Sequence, residues 1–370
     1  MRYTDIIAQS DIQQRLRLQL REDRVAHAYL FAGAMGVGKL PTALAYASAL
    51  LCKNPQEGEA CGVCPACRMT HEWTHPDLHF VFPVAGSKLT SDSYITEWRS
   101  QLAESVYFSP NTWLQRIEVG NKQAIIGVAE SEIILQKLSL TSQQGGYKVI
   151  IIWQPERMNE PTANKLLKIL EEPSPRTVFL LVSDNPDKIL ETIRSRTQRI
   201  DFPPLSESDI ATALMERRFL SSEDARAVAH LAEGSFTKAL AQITAGGEDA
   251  PFFEQFVEVM RKGYLRDIKA LQAWSETLAA WGREEQKAFL SFAQRLVREN
   301  FMYNFRRPEL VYMASAEAQF AQRFARFVNE RNVYGIMSEL ADAQRDIEQN
   351  TNSRMVFFDL ALKIAVLIKA

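Results

Sequence analysis

At 370 residues the chain exceeds one ordinary domain, and two or three are expected. Its 46% apolar and 24% charged residues describe a soluble globular protein with ample core. A formal net charge of −2 excludes the whole-chain basic field that drives autonomous DNA binding, leaving only a local basic patch or DNA contact shared with partners.

The opening "MRYTDIIAQSDIQQRL" carries charge within its first five residues and no apolar core like that of a signal peptide. No apolar run approaches the ~18 residues needed to cross a bilayer, so a cytoplasmic location is expected. In a reducing cytosol, four cysteines point to metal ligands or free thiols rather than to disulfides.

Strand-like and helix-like patterns alternate over the first 200 residues. "HAYLFAG" (27–33) reads as a strand ending in glycine, and "KLPTALAYASALLC" (39–52) as the helix that follows. Pro41 is acceptable there because first-turn amides have no intrahelical partner. Further strands are expected at "LHFVFPV" (78–84), "YKVIIIW" (147–153), "TVFLLVS" (177–183) and "QRIDF" (198–202). Continuously apolar strands between helices indicate a mostly parallel sheet covered on both faces. The polar, aromatic-dotted stretch 85–125 reads as helical connections or an insertion, with no role assigned. "DFPPLSES" (201–208) marks a boundary, its prolines stopping the strand and "SESD" offering a helix cap. A compact helical stretch follows to about Thr244, then the linker "TAGGEDAP" (244–251). From Phe252 onward the pattern is helical, with Met355, Phe358, Leu362 and Ala365 read as one apolar stripe.

Between the first strand and helix lies "GAMGVGKLPTA" (33–43). Gly33, Gly36, Gly38 and Lys39 fit a phosphate-binding loop, in which glycines let backbone amides converge on an anion at a helix N-terminus. A glycine-rich turn without phosphate is the alternative. The hydroxyl residue that should follow the lysine and hold magnesium is replaced by Leu40. Hydrolysis also needs a carboxylate pair at the end of an apolar strand, but "KVIIIW" runs into Trp153-Gln154-Pro155. Glu156 is the nearest substitute. Magnesium site and general base are both read as lost, so hydrolysis is not expected, and whether nucleotide still binds is left open.

Cys52, Cys61, Cys64 and Cys67 form C-x8-C-x2-C-x2-C and are all the cysteines in the chain. Four thiolates at such spacing close a tetrahedral shell around Zn2+, which makes the ion structural. A disulfide pair or free thiols are the alternative, and His71 and His75 are read as ordinary loop histidines. In "NKLLKILEEPSPRTVFLLVSDNPDKILETIRSRTQRIDF" (164–202), Leu166, Leu167 and Leu170 are expected on a buried helix side. Ser183-Asp184 close the next strand, where a polar side chain can face a nucleotide. Arg194, Arg196 and Arg199 follow. Such arginines are usually a solvated face, but one aimed across an interface can stabilise charge on a neighbour's γ-phosphate.

Taken together, "HAYLFAGAMGVGK", the cysteine module, "HPD" (75–77), "NKLLKILEEP" and "TIRSR" resemble the clamp-loader branch of the AAA+ ATPases in order and spacing. The resemblance covers nearly all of 1–245 and, more loosely, the helical C-terminus. It implies an α/β P-loop AAA+ domain with a parallel sheet over 1–203, bearing the zinc module at 52–67. A small helical lid domain over 204–246 and an all-α collar over 250–370 would follow. Ser183 matches the family's polar sensor position, Thr237 stands where nucleotide-binding relatives carry a sensing arginine, and Arg196 matches the arginine of the S-R-C motif, with Thr197 in place of cysteine. The residues that serve a chain's own ATP site are gone, while the one used in trans is kept. That pattern resembles the family's stationary, non-hydrolysing subunit of bacterial DNA polymerase III. It implies tau/gamma motor subunits and delta as partners, and a sliding clamp loaded onto primed DNA. The C-terminal aromatics Phe252, Phe256, Trp274, Trp281 and Phe292 are expected in a core. An active tau/gamma-type motor and an unrelated zinc-containing interaction protein are the competing readings.

Overall fold

The computed structural model describes residues 1–369 apart from 87–88, 120–122, 140–141, 143, 145, 244–249 and 308–309. The linker expected at 244–251 therefore falls largely outside the described residues. The chain divides into two compact units, one holding Met1–Val119 with Ala124–Ala239 and the other running from Leu240 to the C-terminal end.

In the first unit the elements run α1 (Ser10–Arg21), β1 (Ala28–Ala32), α2 (Lys39–Leu51), α3 (Pro65–His71), β2 (Leu78–Val81), β3 (Val84–Ala85), α4 (Ile95–Glu104), α5 (Pro110–Arg116), β4 (Ala124–Ile125) and α6 (Val128–Ser139). They continue with β5 (Lys148–Trp153), α7 (Glu160–Glu171), β6 (Thr177–Ser183), α8 (Glu191–Arg194), β7 (Gln198–Asp201), α9 (Glu207–Arg218), α10 (Ser222–Leu231) and α11 (Phe236–Ile243). Five strands form one sheet in the order β2-β5-β6-β1-β7, and every pairing in it is parallel. The expected parallel α/β sheet is thus observed. The run at 78–84 divides, because β2 ends at Val81 and Val84 pairs instead with Ile125 in the small antiparallel β3-β4 ribbon.

Strand residues alternate between two cores because successive side chains point to opposite faces. Tyr29, Phe31, Ile151, Trp153, Leu180 and Val182 join the core that contains α2 residues Leu40, Leu44 and Leu51. Leu30, Ala32, Ile150, Ile152, Phe179 and Leu181 join the core of α6 and α7. In α7 the buried apolar residues are Ala163, Leu166, Ile169 and Leu170, with Leu167 only partly covered. Register places Ala32 beside Ser183, and Trp153 beside Val182. The carboxyl ends of β1, β5 and β6 therefore open on one edge, where open parallel sheets bind ligands. Beyond β7, Ser206 caps α9 by accepting from the Asp209 amide at 3.1 Å, as "SESD" leads one to expect.

The second unit contains α12 (Ala250–Leu265), α13 (Ile268–Ala279), α14 (Arg283–Tyr303), α15 (Ser315–Phe324), α16 (Val333–Glu348) and α17 (Ser353–Leu367). Its core takes Phe252, Phe256, Trp274 and Phe292, with Trp281 packed partly buried against it. Of the stripe expected on α17, Ala365 is buried, Phe358 and Leu362 are partly buried and Met355 is not buried. Val356, Phe357, Leu360, Ala361, Ile364 and Ala365 are buried, whereas Met355 is 70% exposed.

Candidate functional site

The loop 33–38 joins β1 to α2 in the form expected of a phosphate cradle, with Gly33, Gly36 and Gly38 all at positive φ. Its lysine is already engaged. Lys39 Nζ donates to the Gly33 carbonyl at 2.7 Å and to the Ala34 carbonyl, and it pairs with Asp184 Oδ1 at 2.8 Å. The Lys39 side chain is only 3% exposed, and a buried ammonium needs such partners to stay charged. The start of α11 lies directly on the loop, where the Phe236 amide donates to the Gly36 carbonyl at 3.0 Å. A Cβ at Gly36 would come within 2.1 Å of Ser235 Oγ, so only glycine permits this approach. The hollow left among Gly36, Lys39, Tyr107, Trp153, Asp184 and Thr237 has a volume of about 30 Å³. That is room for about one water.

Leu40 is buried in the core at 6% exposure. The next hydroxyl in the helix does not replace the missing one, since Thr42 Oγ1 donates to the Gly38 carbonyl at 2.7 Å. Trp153 ends β5 with an indole, its ring centroid 5.3 Å from that of Trp98 and 5.2 Å from that of Phe108. Trp98 stacks on Phe82 at 4.3 Å and meets Trp113 edge-on at 5.0 Å. Trp98, Phe108 and Trp113 all come from the stretch 85–125, which receives a role here: it supplies an aromatic plug beside the loop. Tyr107, next in line, is held by its own chain: its hydroxyl accepts from the Ile7 amide at 3.2 Å, and its ring packs edge-on against Phe236 at 5.1 Å.

Gln154 adopts the left-handed conformation and its Nε2 reaches Asp184 Oδ2 at 3.4 Å. Glu156 is turned toward the backbone, accepting from the amides of Asp184 at 2.9 Å and Asn185 at 3.2 Å. Burial, and then the charge of Asp184, raise its carboxyl above the ordinary value. Ser183 is fully buried, with Oγ accepting from the Asn185 amide at 3.1 Å. Thr237 is buried at the head of α11, and the neighbouring Lys238 points away into an ion pair with Glu233 at 2.6 Å. The structure therefore brings the loop glycines, Lys39, Trp153 and Thr237 together, whereas Ser183 is buried at the end of β6 and does not line this hollow. It adds Asp184, whose pairing with the lysine has no local sequence signal.

Arg196 is elsewhere. It precedes the amino end of β7, whereas the loop follows the carboxyl end of β1, and these strands are parallel neighbours. Arg196 thus stands at the opposite end of the sheet from its own chain's loop. Its guanidinium is 36% exposed, donates to the Thr192 carbonyl at 2.9 Å and pairs with Glu171 Oε1 at 2.7 Å. Arg194 and Arg199 pair with Asp187 and Asp201 at 3.0 and 2.8 Å.

The four cysteines form a third centre, with all Sγ atoms within 4.8 Å of one another. Cys52 and Cys64 sulfurs are 4.0 Å apart and those of Cys61 and Cys67 3.9 Å. A tetrahedron with ~2.3 Å metal–sulfur bonds has edges of about 3.8 Å, so the cluster fits a four-thiolate ion. Amides of Cys61 and Cys67 donate to Cys52 Sγ and Cys64 Sγ at 3.3 and 3.4 Å. Amides of Val63 and Cys64 hold the Cys61 thiol down to about 6. His75 is not a member of the cluster; its Nδ1 accepts from the Asp77 amide at 3.1 Å.

A family model described as "DNA polymerase III, delta subunit" matches residues 8–206. The chain belongs to that family. It is 36% identical over 171 residues to DNA polymerase III subunit delta' of Pseudomonas aeruginosa, covering 46% of this chain and 41% of the relative. Against subunit delta' of Bacillus subtilis it is 30% identical over 209 residues, 56% of this chain and 52% of the relative. Subunit tau of Bacillus subtilis is also 30% identical over 209 residues, 56% of this chain and 30% of that protein. The chain thus matches about half the length of its delta' relatives, and the resemblance read from its motifs holds at the level of the delta prime type. Among the described residues no helix is long and apolar enough to cross a membrane.

Proposed function

We propose that the chain is a non-hydrolysing, delta prime-type subunit of a DNA polymerase III clamp loader, and that it presents Arg196 to the ATP site of a neighbouring subunit. The observation that carries this reading is the Lys39–Asp184 pair at 2.8 Å, which neutralises the loop's cation from within the chain. An active site needs that lysine free for the β/γ-phosphates, a hydroxyl and a carboxylate for magnesium, and an oriented water. Here the hydroxyl position is a core leucine and the carboxylate position an indole in an aromatic cluster. Arg196, exposed at the other end of the sheet, is suited to act across an interface on charge that develops in a partner's γ-phosphate.

The cysteine cluster would hold one structural Zn2+, with no open position for a substrate. The helices at 204–246 would form the lid and those at 250–370 the collar that joins the subunit to tau/gamma and delta. Through that assembly, in the cytoplasm, the chain would help to load the sliding clamp onto primed DNA.

The second reading, an active tau/gamma-type motor, draws on the equal identity to tau and delta' of Bacillus subtilis. Identity is shared through the scaffold, whereas Leu40, Trp153 and the Lys39–Asp184 pair oppose turnover. Steady-state ATPase of the chain alone, and of the chain with tau/gamma, delta, clamp and primed DNA, tests the two. The proposal expects no turnover above background from the isolated chain and stimulation of the reconstituted loader. Turnover by the isolated chain sinks it.

A further inference from the structure

The cysteine module has an unexplained structural neighbour, the segment Arg2–Gln9. Arg2 Nη2 donates to the Cys61 carbonyl at 2.9 Å, and the guanidinium lies so close to Gly62 that a Cβ there would stand 2.6 Å from it. The Tyr3 amide donates to Glu59 Oε1 at 3.0 Å, while Glu59 Oε2 pairs with Arg17 of α1 at 2.9 Å. Arg17 in turn lies over the Tyr3 ring, 4.9 Å from its centroid.

From this grip the segment continues directly over the phosphate loop. The Asp5 carbonyl accepts from Arg217 of α9 at 2.8 Å, and the Ile7 amide donates to the Tyr107 hydroxyl at 3.2 Å. Gln9 Nε2 donates both to the Val37 carbonyl at 3.0 Å and to the Pro203 carbonyl at 2.9 Å. One side chain thereby ties the loop to the junction between β7 and α9. A side chain at Gly38 would meet Tyr107, Ile6 and Gln9.

We propose that metal binding by Cys52, Cys61, Cys64 and Cys67 locks Arg2–Gln9 as a strap across the phosphate loop, so that closure of the loop depends on the metal. The reason lies in how small the module's own core is. Its apolar cluster consists of Cys52, Ala60 and Cys67, with Cys61 and Cys64 packed against them, so the ligands are nearly the whole core. Glu59 and the Cys61 carbonyl sit within or beside the loop closed by Cys52 and Cys61. They are offered to the strap through a tight turn in which Gln56 and Glu59 exchange backbone hydrogen bonds at 2.8 and 2.9 Å. A site of this kind takes its geometry from the ion, because four thiolates without metal have no reason to converge. Loss of the ion loosens the turn, and the strap loses its two hydrogen bonds to the module, from Arg2 to the Cys61 carbonyl and from the Tyr3 amide to Glu59.

Hydrogen exchange on the full-length chain, read by mass spectrometry on peptides within 1–9 and 33–40, tests this in three arms: metal-loaded, chelator-treated, and the metal-loaded double variant Arg2→Ala/Glu59→Gln, which keeps all four cysteines. Metal content is measured in each. Exchange of the strap is expected to rise at least about tenfold in both the second and third arms, the factor that corresponds to one lost charge-assisted hydrogen bond. Peptides from β5 and β6 should stay protected, and the variant should keep its metal. Unchanged strap exchange in the variant overturns the proposal, as does a protected strap in the metal-free chain. Loss of protection throughout the metal-free chain also overturns it, since the ion would then be a general folding requirement.

Discussion

Lys39 and Asp184 meet at 2.8 Å in the middle of the phosphate loop, with the lysine side chain 3% and the aspartate 19% exposed. The pair couples the start of α2 to the end of β6 and leaves the loop without a free cation. Removing one member strands the other. Asp184→Asn should lower stability by about 2–3 kcal/mol, below the full cost of a broken buried pair because Lys39 keeps its two carbonyl acceptors. Lys39→Met should cost less, since the remaining carboxylate reaches water and Gln154. Urea midpoints of the two variants check the order; the reverse order would show that the lysine does not need its partner.

Restoring the consensus hydroxyl should not restore the enzyme. Leu40→Thr places an oxygen beside the loop, yet Trp153 still offers no carboxylate at the end of β5 and Lys39 remains paired. The variant is expected to show no ATPase above background and to lose about 1–3 kcal/mol of stability from the buried leucine position. Measurable hydrolysis by this single change would mean that the aromatic plug moves aside.

What the sequence made legible and what it did not differ in physical range. Central strands such as "KVIIIW" and "TVFLLVS" announce themselves because both of their faces are buried, so no alternation interrupts the apolar run. That position 40 offers no hydroxyl and position 153 no carboxylate was readable from residue type alone. The partner of Lys39 was not, because an ion pair between a helix start and a strand end far apart in the chain leaves no periodic trace. Nor was the plug: Trp98, Phe108 and Trp113 are scattered through a polar stretch, and only packing gathers them around Trp153. On α17 apolar residues occupy nearly every side, so periodicity could not select Val356, Phe357 and Leu360 over Met355.

Glu156 gives the site a pH signature. Its carboxyl is raised above the ordinary 4.5 by burial and by Asp184, so the folded chain binds its proton more tightly than the unfolded chain. Where the folded state holds more protons, stability falls as pH rises. The penalty is absent below about pH 4.5 and grows as pH rises through the folded value. Glu156→Gln should therefore gain stability relative to the parent between pH 4.5 and 7, by urea midpoints at both. A constant difference would show that the amides of Asp184 and Asn185 already offset the burial.

The cysteine cluster predicts about one zinc ion per chain by elemental analysis. Cys64→Ser removes one of four ligands and, with it, the sulfur that accepts the Cys67 amide. Metal content should drop well below one per chain, and stability should fall by at least about 2 kcal/mol. A metal-free parent chain with undiminished stability would remove the ion from the account.

Arg196 carries the most consequential prediction. In the isolated chain it is a surface residue held by Glu171 and the Thr192 carbonyl, and exposed ion pairs of this kind contribute little. Arg196→Ala should leave the stability of the isolated chain within about 0.5 kcal/mol of the parent. In the reconstituted loader the same change should slow hydrolysis at the neighbouring site on the order of 10³-fold, the scale of a lost trans arginine. Single-turnover assays are required, because unaffected sites would mask the loss in steady state. Arg196→Lys should not rescue it, since a point charge cannot reproduce the guanidinium's planar fork. If single-turnover rates in the assembled loader are the same with arginine and alanine at 196, the residue acts only in its own surface pairings and the finger lies elsewhere.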